Sequence, residues 1–259
     1  MNKQKLMQKV PEITIYFWIV KILTTAMGES TSDYLVHVIN PVFAVILGFI
    51  GFVIAMMLQF STRRYVAWVY WLTVVMVAIF GTMAADVLHI GLGIPYIVSS
   101  ISFAVILAII FFIWYASEKT LSIHSINTTR RELFYWATVL ATFALGTAVG
   151  DMTAVTMHLG YLSSGIMFTA FIAIITIGHY LMKGILGMEH KHFSRNAVFA
   201  FWFAYILTRP LGASFADWMG KARGFGGLGF GDGLVAFCLT ILIVCFIYYL
   251  TVTKIDRKN

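Results

Sequence analysis

Four aspartates recur in this chain at a fixed spacing from two other residues. Each lies fifteen residues after a tryptophan and five after a glycine, in hydrophobic sequence, and an aromatic residue always precedes the tryptophan. The four copies are Phe17-Trp18…Gly28…Asp33, Tyr70-Trp71…Gly81…Asp86, Tyr135-Trp136…Gly146…Asp151 and Phe201-Trp202…Gly212…Asp217. Because tryptophan, glycine and aspartate recur four times at one spacing, the sequence indicates four internal repeats. Ionisable side chains inside a bilayer cost about 2.5–3.5 kcal/mol on insertion scales and usually mark ion paths or proton relays, so the aspartates predict a cation site.

The first repeat adds a second acid to its aspartate. Glu29 and Asp33 are four residues apart and therefore share one face of a helix, which extends back to Thr25 and Lys21. We expect the carboxylates of Glu29 and the four motif aspartates to bind a cation. The alternative is that the aspartates lie just beyond the hydrocarbon and pair locally in short outer loops.

Histidines follow two of the acids at helical spacing, since His37 is four residues after Asp33 and His89 is three after Asp86. His158 is seven after Asp151, two turns along the same face if the helix continues that far. Carboxylate and imidazole on one helical face suit Mn, Fe, Co, Ni or Zn better than alkali ions, because imidazole nitrogen is a good ligand for those metals. These six residues are the predicted metal ligands. Alternatively, each imidazole faces headgroups and water at the outer boundary of the membrane.

Two cations lie within apolar sequence. Lys21 is about 12 Å into the first predicted span, where its long side chain can snorkel to the inner surface. Arg209 is deeper and precedes Pro210, which is expected to kink or interrupt its helix. Because Asp217 is too far along the same helix, we expect Arg209 to pair with Glu29 or with an aspartate of another repeat. We expect both cations to balance the negative charge of the acids. Arg209 is either displaced from its acid by an entering cation or forms a permanent ion pair with it.

The composition places these residues in a membrane protein. The chain has 259 residues, 60% hydrophobic and 11% charged, and its mean hydropathy is +0.88. Its apolar runs do not alternate as barrel strands would, and each has about the 20 residues that a transmembrane helix needs. We therefore predict an all-α polytopic protein with a single transmembrane domain over residues 1–259. The predicted spans are 12–34, 41–60, 66–89, 96–116, 132–158, 162–182, 195–217 and 232–253.

These eight helices pair into four repeats that run in one direction. The repeats cover approximately residues 11–61, 64–117, 129–183 and 195–254, each with an odd helix that carries the motif and an apolar even helix. Parallel repeats are related by an axis along the membrane normal. If the odd helices surround that axis, the four aspartates form one layer. Repeats one and four resemble each other, and so do repeats two and three. Because the extra ionisable groups lie in repeats one and four, we expect an asymmetric site.

The tryptophans and glycines have simpler explanations than ion binding. An aromatic residue beside a tryptophan near a helix end is typical of the interfacial belt of a membrane protein. The glycines fall near mid-membrane, where they allow close contact between helices or loosen a helix whose carbonyls are needed.

Positive charges determine the predicted orientation. They cluster near both termini and in every second connection, whereas the other connections contain only Lys221 and Arg223. The positive-inside rule then places both termini in the cytoplasm. The net charge of +7 mostly reflects these lysines and arginines, which can attract anionic lipid headgroups. Lipid is therefore an expected partner, and nucleic acid is not.

The repeat pattern resembles a family of uncharacterised bacterial inner-membrane proteins built of four tandem repeats, each with two transmembrane segments and a characteristic tryptophan. The resemblance rests on Trp18, Trp71, Trp136 and Trp202 and covers the chain from Pro11 to Thr253. It implies the same architecture and a bacterial inner-membrane location. It implies no reaction.

These features predict a secondary transporter that exchanges a divalent transition-metal cation for protons, rather than an enzyme. The chain has no nucleotide-binding motif, and no serine or cysteine has a histidine arranged around it. The alternatives are a proton-coupled carrier of an organic cation, a haem- or quinone-binding protein with facing histidines, and a structural protein. No resident cofactor is expected outside the haem alternative, and the oligomeric state stays open.

Overall fold

The computed structural model describes residues 8–185 and 190–257. Their side chains are described as well, except at positions 90, 180, 182–185 and 190–195. Within these residues the chain forms eight α-helices and no strand, which confirms the all-α prediction. The helices are α1 (Ile15–Val38), α2 (Pro41–Ser61), α3 (Ala67–Asp86), α4 (Tyr96–Glu118), α5 (Thr129–Asp151), α6 (Tyr161–Ile185), α7 (His190–Gly220) and α8 (Asp232–Thr253).

Seven of the described helices, α2 to α8, are long and apolar enough to cross a membrane. The first helix, α1, is not among them, and it contains three charged residues, Lys21, Glu29 and Asp33. It packs against α3, α7 and α8, so that its polar side chains are covered by protein. Polar residues in membrane helices usually face the interior of a bundle in this way.

The odd helices form a central ring of four. In this ring α1 contacts α3, α3 contacts α5, α5 contacts α7, and α7 contacts α1. Each even helix packs mainly against the odd helix of the next repeat, and α8 closes the circle on α1. The predicted arrangement of odd helices around one axis is therefore present.

The aromatic residues of the motif close the ring at one end. The aromatic residue before each tryptophan contacts the tryptophan of the next repeat. The ring centroids are 5.7 Å apart for Phe17 and Trp71, 5.5 Å for Tyr70 and Trp136, 6.2 Å for Tyr135 and Trp202, and 5.7 Å for Phe201 and Trp18. The four odd helices therefore begin in one layer and run parallel. Trp71, Trp136 and Trp202 are buried, so the prediction of an interfacial belt is wrong for them, because they pack on the neighbouring repeat instead of on lipid.

The motif glycines lie where successive odd helices touch. A Cβ atom would collide with Ala78 at Gly28, with Phe143 at Gly81, with Arg209 at Gly146 and with Thr25 at Gly212. All four obstructing residues come seven positions after the tryptophan of the next repeat in the circle. The expectation of close helix contacts is confirmed, since any larger residue would push the helices apart.

The odd helices continue in two different ways beyond their aspartates. After Asp86 and Asp151 the chain passes into π-helical segments, Val87–Gly91 and Met152–Thr156. In α1 and α7 the α-helix continues past the aspartate, and Pro210 does not interrupt α7. A π turn changes the direction of the side chains that follow it. The difference separates repeats two and three from repeats one and four, as the sequence predicts.

Residues 8–14 cover the aromatic end of the ring. The backbone N–H of Lys9 donates to Ile126, and that of Glu12 donates to Asp256. The Lys9 ammonium pairs with the buried carboxylate of Glu132 at 2.5 Å. Both ends of the described chain therefore lie at the aromatic end, opposite the aspartates.

Candidate cation site

Five residues at intervals of four form a stripe along the inner face of each odd helix. From the aromatic end, the layers are Phe17, Tyr70, Tyr135 and Phe201; then Lys21, Val74, Val139 and Tyr205; then Thr25, Ala78, Phe143 and Arg209; then Glu29, Thr82, Thr147 and Ala213; and finally Asp33, Asp86, Asp151 and Asp217. Every residue of the first four layers is buried, whereas three of the four aspartates are half-buried. The interior of the ring is therefore closed along four layers and becomes accessible at the aspartates.

Arg209 joins the four repeats in the middle of the ring. Its Nη2 atom donates to the Glu29 carboxylate, to Thr82 Oγ1 at 2.5 Å and to Thr147 Oγ1 at 2.7 Å. The three acceptors occupy the same repeat position, directly after the motif glycine. The predicted pairing of Arg209 with Glu29 is confirmed. The Nε and Nη1 atoms of Arg209 are buried and have no hydrogen-bond partner among the described residues.

Three carboxylates converge next to this arginine. One oxygen each from Glu29, Asp33 and Asp217 lie within 4.8 Å of one another, the only such group of three potential metal ligands within the described part of the chain. We call these three residues the carboxylate cluster. The Lys221 ammonium bonds Asp33 and lies 3.6 Å from Asp217. Burial lowers the pKa of Lys221, but Asp217 and Asp33 outweigh that effect and raise it above its usual value.

Asp86 and Asp151 belong to the same layer but not to the carboxylate cluster. Both are half-buried, and neither carboxylate forms a hydrogen bond or an ion pair with a described residue. The predicted layer of four aspartates is therefore asymmetric. Two of its members join Glu29, and the other two lie at the starts of the π-helical segments.

Two of the three predicted histidine ligands have other neighbours. His37 is exposed, and its Nδ1 lies 2.6 Å from the backbone oxygen of Asp33. His89 packs on the ring of Tyr96 at 4.2 Å, and its Nδ1 lies 3.2 Å from the backbone oxygen of Ile94. Neither imidazole reaches the carboxylate cluster.

The third predicted ligand, His158, is exposed and has a left-handed backbone with φ 56°. The helical spacing from Asp151 is lost because a π-helical segment ends two residues earlier, at Thr156. The candidate site that the described residues form has oxygen ligands alone.

Lys21 lies deep in the ring and does not snorkel to the surface as predicted. It is 1% exposed, and its Nζ has no hydrogen-bond partner among the described residues. Nζ lies 4.2 Å from the ring centroid of Phe143 and 4.3 Å from that of Tyr205. Because α1 is enclosed by other helices, aromatic rings take the place of water around this side chain.

Two groups that the structure brings to the site are not among the predicted site residues. The first is the pair of threonines that accept from Arg209. The repeats contained a signal for them, because three of the four residues that follow the motif glycines are polar. The second is Lys221, which lies four residues after Asp217 and is therefore on the same helical face.

Comparison with known families identifies the repeat itself. The family described as Repeat of Unknown Function (DUF347) matches four segments, 16–65, 69–120, 134–184 and 200–256. The chain belongs to this family. Each DUF347 repeat contains one odd and one even helix, and its limits agree with the predicted repeats to within five residues. No curated protein and no solved structure matches the chain significantly.

Proposed function

We propose that this DUF347 protein is a secondary transporter of a divalent cation, which binds to Glu29, Asp33 and Asp217. The observation that carries the proposal is the approach of three carboxylate oxygens to within 4.8 Å, at the point where the interior of the helix ring becomes accessible. Arg209 pairs with Glu29, and Lys221 contacts both Asp33 and Asp217, so the three acids share two positive charges of the protein. In this proposal all eight helices cross a bacterial inner membrane, and both termini are cytoplasmic.

The ligand atoms favour a hard cation. Carboxylate oxygens suit Mg²⁺, Ca²⁺ and Mn²⁺, whereas zinc, cobalt and nickel gain more from imidazole. Among the transition metals that the sequence suggested, Mn²⁺ is therefore the proposed substrate. Protons are the proposed counter-ion, because carboxylates that release a metal can take up protons.

Lys221 supports an organic ammonium ion as a second candidate substrate. Its Nζ already contacts Asp33 and Asp217, so two members of the carboxylate cluster accommodate a primary ammonium group. An organic cation with such a head group would use the same two acids.

Thermal unfolding of the detergent-purified protein tests the proposal. The ligands are Mn²⁺, Mg²⁺, Zn²⁺, Co²⁺, Ni²⁺ and methylammonium. A ligand that binds only the folded state stabilises it by about 2.7 kcal/mol at a hundredfold excess over Kd. We expect Mn²⁺ to stabilise the wild type and Asp33→Asn to remove this effect.

Two control variants locate the response. Glu118→Gln changes a carboxylate that pairs with Arg131 away from the carboxylate cluster, and His37→Ala removes a predicted ligand that the cluster does not include. Both should keep the Mn²⁺ response. A response to Zn²⁺ that His37→Ala abolishes would restore the histidine site. Stabilisation by methylammonium alone would support the second candidate, and no response to any ligand would contradict both.

A further inference from the structure

Lys221 connects the carboxylate cluster to the chain between α7 and α8. It is the first residue after α7, and its ammonium bonds Asp33 on α1. The same atom lies 3.6 Å from Asp217 on α7 and 3.7 Å from Asp232, the first residue of α8. One ammonium group therefore contacts acids from three helices.

A metal ion and this ammonium would compete for the same two carboxylates. Asp33 and Asp217 are two of the three residues of the carboxylate cluster, and both contact Lys221. A cation that enters the cluster would be repelled by the ammonium, because two positive charges a few ångströms apart destabilise each other. Binding of the substrate therefore requires that Lys221 move away.

Loss of a proton is not an easy way to remove this charge. The ammonium lies against the carboxylates of Asp33, Asp217 and Asp232, and such partners favour the charged form of an amine. The ammonium must instead leave by a movement of its side chain or backbone.

The segment after Lys221 is folded onto the end of α7. Leu228 N–H donates to the Trp218 oxygen at 2.7 Å, and Gly229 N–H donates to the Lys221 oxygen at 2.9 Å. Gly231 N–H donates to the Gly220 oxygen at 3.0 Å. A displacement of the Lys221 backbone would break the bond that it accepts from Gly229, so the position of the segment is linked to the position of the ammonium.

We propose that Lys221 is a tethered counter-cation, which pairs with Asp33 and Asp217 when no substrate is bound and is displaced by the transported cation. This inference rests on the proposed function and adds a control of affinity to it. Competition by Lys221 keeps binding weak enough for release.

The dissociation constant of Mn²⁺, measured by calorimetry on the full-length protein, tests this inference. Lys221→Met removes the competing charge and should lower the Kd at least tenfold. Lys221→Arg retains a cation and should stay within about threefold of the wild type. Arg223→Met is the matched control, because Arg223 is an exposed cation in the same segment, and among the described residues its side chain bonds only the backbone of Leu228. It should leave the Kd unchanged.

A second variant keeps the test valid if Lys221→Met does not fold. Asp232 holds Lys221 but is not part of the carboxylate cluster, so Asp232→Asn should weaken the hold on the ammonium and lower the Kd of Mn²⁺. Asp33→Asn, by contrast, should raise it. Weaker binding in Asp232→Asn would make Asp232 a ligand and would contradict the inference.

Transport by proteoliposomes provides an independent readout. Lys221→Met should lower the KM for Mn²⁺ uptake and also lower the maximal rate, because Mn²⁺ is then released without a competing cation, whereas Arg223→Met should change neither value. Binding by the wild type that Lys221→Met does not strengthen would overturn this inference alone. Failure of both proteins to bind any cation would overturn the proposed function as well.

Discussion

Arg209 and Glu29 form an ion pair inside the ring, and its energetics can be measured. Arg209→Met leaves the Glu29 carboxylate buried next to two threonines and without its positive partner. Removal of one partner of a buried pair costs about 3–5 kcal/mol, whereas replacement of both by apolar residues is often neutral. We expect Arg209→Met to lower the free energy of unfolding on the order of 3 kcal/mol and Glu29→Met/Arg209→Met to recover most of it.

Unfolding of each variant in mixed micelles with increasing denaturing detergent measures these values. Arg223→Met is the control for the loss of an arginine, because that side chain is exposed, and its effect should be within about 0.5 kcal/mol. If the double variant is as unstable as the single one, the energy resides in the packing of the arginine stem and not in the pairing of charges.

The repeat also determines how the helices approach one another, and the motif glycines make this testable. A Cβ atom at Gly28 would lie 3.0 Å from the backbone carbon of Ala78, which cannot move without α3. Gly28→Ala should therefore destabilise the protein by about 1–3 kcal/mol. Gly178→Ala on α6 is the matched control, since a Cβ there has no neighbour within 4 Å.

Thermal unfolding of the two glycine variants gives the comparison. Gly178→Ala should be neutral or stabilising by less than about 1 kcal/mol, because alanine has the higher helix propensity. Equal effects of the two substitutions would mean that the contact between α1 and α3 tolerates a methyl group, and the close packing of the ring would lose its support.

The orientation of the whole protein leads to a further prediction. Arg64 is exposed between α2 and α3, and Arg223 is exposed at the opposite end of the ring, near the carboxylate cluster. With cytoplasmic termini, Arg223→Cys should react with a membrane-impermeant maleimide in spheroplasts, and Arg64→Cys should react only after permeabilisation. Both exposed native cysteines, Cys238 and Cys245, are first replaced by serine. The reverse labelling pattern would contradict the orientation and place the site on the cytoplasmic side.

Much of the architecture was predictable because the repeat motif is periodic. The spacing of tryptophan, glycine and aspartate indicated four repeats, and continuous apolar runs indicated the helices, since each signal depends only on nearby residues. The stripe of Lys21, Thr25, Glu29 and Asp33 was also visible, because residues four apart share a helical face. The pairing of Arg209 with an acid of another helix followed from the cost of a buried charge.

Tertiary structure alone decided which of these groups meet. The sequence predicted an asymmetric site, but only the structure shows that Asp33 and Asp217 join Glu29 and that Asp86 and Asp151 do not. The histidines had suitable spacing, but π-helical segments and local backbone contacts direct them elsewhere. In the sequence Lys221 resembles an ordinary loop residue. In the structure it contacts acids of α1, α7 and α8, because the ring of helices brings these three helices together. Sequence periodicity specifies the face of each helix, but distances between side chains on different helices depend on how the helices pack.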